Sequence, residues 1–219
     1  MDFYQKLQQA TSEERTSLFS IPVISAALAG QVNRQLYISF LTRAFHHVKH
    51  TVPLLMACGA RIPDDQEWLR SAIAHYIEEE IGHHEWILND IAAAGGDANT
   101  VRGCQADFDT EVMISYAYDT VMRRNPVGFF GMVYVLEGTS VSLASNVADT
   151  LQNALSLPSS AFTYLSSHGA LDIEHLGHFE KLVNRFDSPA DLDAVVHCAK
   201  IFFRLYGNVL RSIDVQEKS

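Results

Sequence analysis

Between His168 and His175 the sequence HGALDIEH sets two imidazoles and the carboxylate of Asp172 four and three residues apart. On an α-helix those steps return to one face, so the three side chains can converge on a single ion. The same residue types recur as ExxH at Glu80 and His83, and as a lone acid, Glu137, in the run VLEGTS. Three carboxylates and three imidazoles can hold two divalent irons, or manganese ions, and leave coordination positions open for oxygen and substrate.

Each group sits in an apolar stripe at helical spacing. Leu69, Ile73 and Tyr76 lead to Glu80 and His83, and Ile87 and Ile91 follow; Phe130 and Val133 lead to Glu137, followed by Val141, Ala144, Ala148 and Leu151. Phe179, Leu182 and Phe186 continue the face of His168, Asp172 and His175. A carboxylate on a core-facing stripe must be paired, hydrogen-bonded or metal-bound, otherwise desolvation neutralises it. At about 100° per residue, Glu78 and Glu79 turn away from that face. Taken singly, ExxH arises by chance on charged helices, paired histidines hydrogen-bond in cores, and a lone glutamate serves structure. Recurrence on three stripes favours a binuclear centre, with Glu79 and His84 as the alternative register. The small residues after Glu137, GTSVS, leave space beside it.

The elements that must position these groups read as helices throughout. No strand alternation or hairpin dipeptide stands out. A short amino-terminal helix and the segment IPVISAALAG precede a helix expected from Gln31 to Met56, bent near Pro53 and closed by Cys58 and Gly59. A second is expected from Pro63 or Asp64 to Ala94, then a loop of about ten residues before Gly and polar signals give way to periodicity again. Further helices are expected over 107–124, 126–155, 159–167, 168–186 and 189–213, with Pro126 and Pro189 at starts. The fold class is all-α, a compact bundle of seven or eight helices in one domain spanning 1–219.

Composition narrows the partners. Of 219 residues 47% are hydrophobic and 19% charged, with a formal net charge of −10, which disfavours a nucleic-acid partner. Three cysteines without CxxC spacing, no secretory pattern at the amino terminus and no uninterrupted apolar run of ~18 residues lead to the expectation of a soluble, cytoplasmic chain. Phe40, Phe129, Phe130, Met132 and Tyr134 are compatible with an apolar or aromatic substrate, or with plain core. Lys200 and Arg204, four apart, are weak candidates to receive a substrate carboxylate against the reading of a solvated surface pair.

The motifs EEEIGHHEW, YVLEG and HGALDIEHLGH resemble those of the heme-oxygenase-like di-iron oxidases and oxygenases, in the superfamily of heme oxygenase, thiaminase II and the pyrroloquinoline quinone biosynthesis oxidase. The resemblance covers about Gln31 to Ile213. It implies a heme-oxygenase-like bundle in which Glu80, His83, Glu137, His168, Asp172 and His175 are ligands of two irons that react with oxygen. Glu137 bridges or caps them, and a small organic substrate undergoes oxidative decarboxylation, carbon–carbon cleavage or N-oxygenation. An external electron donor and a homodimer are compatible with it, and no heme is expected. Where some members place the first histidine seven residues after its glutamate, this chain has Tyr76 and Ile77 before His83 and His84, so only the ExxH variant fits. His178 falls off the stripe, in an exposed or supporting place. A thiaminase II-like mechanism lacks its cysteine, since none lies between Cys104 and Cys198. In AFHHVKH, His46, His47 and His50 cannot all face one heme iron at 100° spacing. The rival readings are a metal-binding protein without turnover, and a metal-free module such as a cofactor-free oxidase.

Overall fold

A computed structural model of the chain describes residues 1–213, without the side chains of residues 144–145 and 168–175. Twelve α-helices run in order: α1 Phe3–Ala10, α2 Ser12–Phe19, α3 Pro22–Leu28, α4 Arg34–Val48, α5 Thr51–Arg61, α6 Glu67–Glu80, α7 His83–Ala93, α8 Ala98–Gly103, α9 Phe108–Arg123, α10 Phe130–Leu155, α11 Thr163–Val183 and α12 Pro189–Arg211. Short 3-10 turns precede α6, α10 and α11, and no strand occurs among the described residues. The all-α expectation holds; the count rises to twelve among the described residues because two long helices are cut, the amino-terminal stretch forms three short helices and α8 fills an expected loop, while two expected helices merge.

The first cut falls at Lys49 and His50, not at Pro53. Pro53 is the third residue of α5, in the first turn, where its missing N–H has no partner to lose. The helix then continues past Cys58 and Gly59 to Arg61. The second cut falls inside EEEIGHHEW: Ile81 is extended and 64% exposed, and Gly82 takes φ +92, a left-handed value that glycine adopts without a Cβ clash. The expected ten-residue loop contains α8, capped by the Asp97 carboxylate, which accepts from the N–H groups of Asn99 and Thr100. The helices expected over 159–167 and 168–186 are one, α11.

α10 is the central element, packed along α11 and α12 and reached by α3. Its approach to α12 is a backbone contact. A Cβ at Gly131 would lie 2.5 Å from the amide nitrogen of Ala199 and 2.7 Å from the carbonyl oxygen of Val195. Residues 126–143 are long and apolar enough by composition to cross a membrane, but 67% of that window is buried in the bundle. Two apolar clusters result. One joins α1–α3, α5, α6, α9, the start of α10, the end of α11 and the length of α12; the other joins α4, α7, α8, the later part of α10 and the start of α11. The space between them is the principal cavity.

Candidate metal centre

The stripe of α6 survives the break after it. Leu69, Ile73 and Tyr76 are buried on α6, and Ile87 and Ile91 on α7, while the Glu80 and His83 side chains between them are 10% and 4% exposed. Glu80 ends one helix and His83 begins the next, yet His83 Nδ1 lies 3.2 Å from Glu80 Oε2. The His83 ring rests on Trp86, centroid to centroid 4.1 Å, which limits its rotation. The alternative register goes elsewhere: Glu79 meets His75 at 3.2 Å, and His84 meets Glu85 at 3.3 Å on an exposed edge.

Glu137 arrives from α10 and is 9% exposed. It lines the same cavity as Glu80, so two carboxylates from separate helices share one space. The room expected beside Glu137 is present: Thr139 and Ser140 line the cavity, and the Thr139 hydroxyl donates to the Val135 carbonyl at 2.6 Å. His168, Asp172 and His175 lie on α11, outside the residues whose side chains are described. Their helix packs along α10 and against α7, and the continuation of their stripe, Phe179, Leu182 and Phe186, is buried.

The cavity has a volume of about 170 Å³, and its walls are mostly apolar. α3 contributes Val23 and Ile24, α4 Tyr37 and Phe40, and α10 Met132 and Leu136. Of the aromatic and Met candidates, Phe40, Phe129 and Met132 line it, whereas Phe130 and Tyr134 pack into the core. Lys200 and Arg204 do not line it. α12 buries Val195, Cys198, Ala199 and Phe202, which places those two cations outward, and Lys200 pairs with Glu14 at 3.2 Å. Of the two readings the solvated surface pair is the one the structure favours, and the weak candidacy for a substrate carboxylate is withdrawn.

Sequence reasoning missed two contributors. His47 is buried and lines the cavity, its ring edge-on to Tyr206 at 5.9 Å, while His46 meets Cys104 at 3.3 Å and His50 the Tyr118 hydroxyl at 3.0 Å. The three histidines thus diverge, as 100° spacing requires. Burial pushes the Tyr206 phenol up to about 12, so it remains a hydroxyl donor at neutral pH. The second is Asp90 of α7, fully buried, whose carboxylate accepts from Thr163 N at 3.1 Å and Tyr164 N at 2.8 Å. It caps α11 and ties it to α7, the helix that begins with His83.

Residues 38–207 match the model of a family described as iron-containing redox enzymes. The chain belongs to that family. Its fold is that of a heme oxygenase-like protein of unknown function from Shewanella denitrificans OS217, at 24% identity over 97% of this chain and 92% of that one, TM-score 0.84. It is also that of heme oxygenase-1 from Synechocystis sp. PCC6803 in complex with heme (11% identity, 98% and 93% covered, TM-score 0.76) and of a TenA homologue from P. horikoshii OT3 (9%, 97% and 98%, 0.78). Among curated protein sequences none matches the chain.

The donor set fits iron. Two carboxylates line one apolar cavity whose described lining includes no lysine or arginine, and the His83 imidazole lies against one of them, Glu80. Anionic oxygens with imidazole nitrogens suit ferrous iron or manganese, and a divalent ion offsets the cost of burying two carboxylates together.

Proposed function

We propose that the protein is an oxygen-dependent oxidoreductase with a two-iron centre, acting on a small organic substrate with an apolar body. The observation that carries this reading is the convergence of Glu80 and Glu137 on one largely apolar cavity, with His83 against Glu80. Glu80, His83 and Glu137 hold the metal together with His168, Asp172 and His175 of α11. Bound iron supplies the reduction of dioxygen that the chain's own side chains cannot perform. The carboxylates balance the metal charge, Trp86 keeps the His83 ring in place, and the aliphatic walls of α3, α4 and α10 bind the substrate body and exclude water. His47 and Tyr206 supply polar contacts on the cavity wall, and the Tyr206 hydroxyl keeps its proton there.

Heme held by His47 is the second reading, favoured by that side chain's place in the cavity and by the heme-bound relative of the same fold. Against it, two carboxylates would face the macrocycle, and no basic residue among the described lining would meet its propionates. A thiaminase-like nucleophile has no support: none of the three cysteines lines the cavity, and burial pushes the Cys58 thiol up to about 12.

The test is anaerobic reconstitution. About two irons per chain with oxygen consumption and no Soret band supports the proposal; iron without consumption indicates a binding protein, a Soret band indicates heme, and no retained metal indicates a hydrogen-bonded network. Glu137→Ala and His168→Ala should each abolish iron loading with the helical circular dichroism intact. Normal loading in both variants removes the assigned centre.

A further inference from the structure

The geometry points to a second metal site, on the surface between α6 and α11, formed by His75, Glu79 and His178 and suited to a borderline divalent ion such as zinc. One donor atom from each of the three lies within 4.8 Å of the other two. His75 and Glu79 are four apart on α6, which places them one above the other on the same face. His75 Nε2 and Glu79 Oε1 are already 3.2 Å apart. Two donors on a tetrahedral ion with bonds of about 2.0–2.1 Å sit ~3.3 Å apart, so this pair has the separation of cis ligands.

His178 completes the set from α11. Its ring centroid is 5.9 Å from that of His75. Its Nδ1 is buried and has no hydrogen-bond partner among the described residues. A buried imidazole nitrogen in that condition is an exception that a bound ion explains. The His75 side chain is 56% exposed, so its rotation can bring the three donors, which lie within 4.8 Å of one another, to ligand separation, and the fourth position opens to water. Lys181 and Arg185 line the same groove and oppose a cation in part, but the Arg185 guanidinium lies 4.1 Å over the Trp68 ring. Two imidazoles and one carboxylate select zinc, nickel or copper over magnesium or calcium.

This site is separate from the interior centre, although Glu79 adjoins Glu80 in sequence. The helix turns about 100° between them: Glu80 lines the cavity and His75 the groove, with Tyr76 between, bordering both. An ion held there clamps α6 to α11, the two helices that carry Glu80 and the HGALDIEH motif. Its role is to hold the spacing of those helices from outside.

Zinc titration of the metal-free chain by calorimetry tests this. The expected result is that His75→Ala and His178→Ala each bind one zinc fewer per chain than the parent, and that Glu79→Gln weakens the same step at least tenfold. The zinc-induced rise in thermal midpoint should shrink with it. His75 is exposed enough for its variant to fold, and Glu137→Ala should retain the step, which separates failure here from failure of the interior assignment. Parental zinc stoichiometry and affinity in both histidine variants, or no zinc binding by the parent, overturns the site.

Discussion

Replacing Asp90 by alanine is expected to destabilise the protein by about 2–3 kcal/mol. Two charge-assisted hydrogen bonds are lost, to Thr163 N and Tyr164 N. Hydrogen bonds to charged groups contribute about 1.5–3 kcal/mol each, and losing an N-cap costs about 0.5–2 kcal/mol. The cost of desolvating the buried carboxylate offsets part of the gain. That desolvation is the largest influence on Asp90 and raises its pKa above the usual 3.8 despite the bonds from Tyr164 and Thr163. A carboxyl whose folded pKa is raised contributes stability that is present below the unfolded value and is lost as pH rises through the folded one. The gap between parent and Asp90→Ala should therefore widen as pH falls from neutrality towards 3.8. Urea unfolding followed by circular dichroism measures it at each pH, and for a chain of this size the loss at neutral pH corresponds to a thermal midpoint lower by about 5–10 °C. Asp90→Asn, which keeps one acceptor, should cost less. A difference between parent and Asp90→Ala under 0.5 kcal/mol, or one that narrows on acidification, refutes the reasoning.

Gly131→Ala should cost ~3 kcal/mol or more in a thermal melt, because its Cβ would meet backbone atoms of Ala199 and Val195 that cannot rotate aside. Gly82→Ala meets no atom within 4 Å, so its cost in urea unfolding should be purely conformational, about 1–2 kcal/mol at φ +92. Burial, then the charge of Lys49, lowers the pKa of both His46 and His50 from 6.5. A depressed folded pKa means that stability present above pH 6.5 is lost as pH falls through the folded values. Stability measured by urea from pH 7.5 to 5 should drop less steeply in His46→Asn than in the parent.

What could be read in advance was whatever helical phase alone determines. The Glu80 and His83 stripe was legible because three residues on still lands on the same side after the chain breaks at Ile81 and Gly82. The break itself had a signal, the glycine between Ile81 and His83, but glycine is tolerated inside helices at a cost of about 1 kcal/mol. Lys49 and His50 carry no breaker at all, and Pro53 drew attention away from them. His47 was obscured by two neighbouring histidines; its spacing of seven from Phe40, on the cavity side, was the available clue. Asp90 was not legible, since its partners lie some seventy residues further along the chain and only tertiary packing brings them together. For Lys200 and Arg204 their own spacing left two readings open, and the phase of Val195, Ala199 and Phe202 decides for the solvated surface pair.

The joint at Ile81 and Gly82 has a mechanical meaning for the groups on either side of it. In an uninterrupted helix, side chains three residues apart are fixed at a Cβ separation of about 5–6 Å. Here Glu80 closes one rod and His83 opens another, so the bite of this donor pair is set by the torsions of two linker residues and by how each rod is anchored. α6 and α7 can change their mutual angle without stretching a single helical hydrogen bond. In the proposed centre, the carboxylate and the imidazole would thus follow a change in ionic radius or charge while both helices stay rigid.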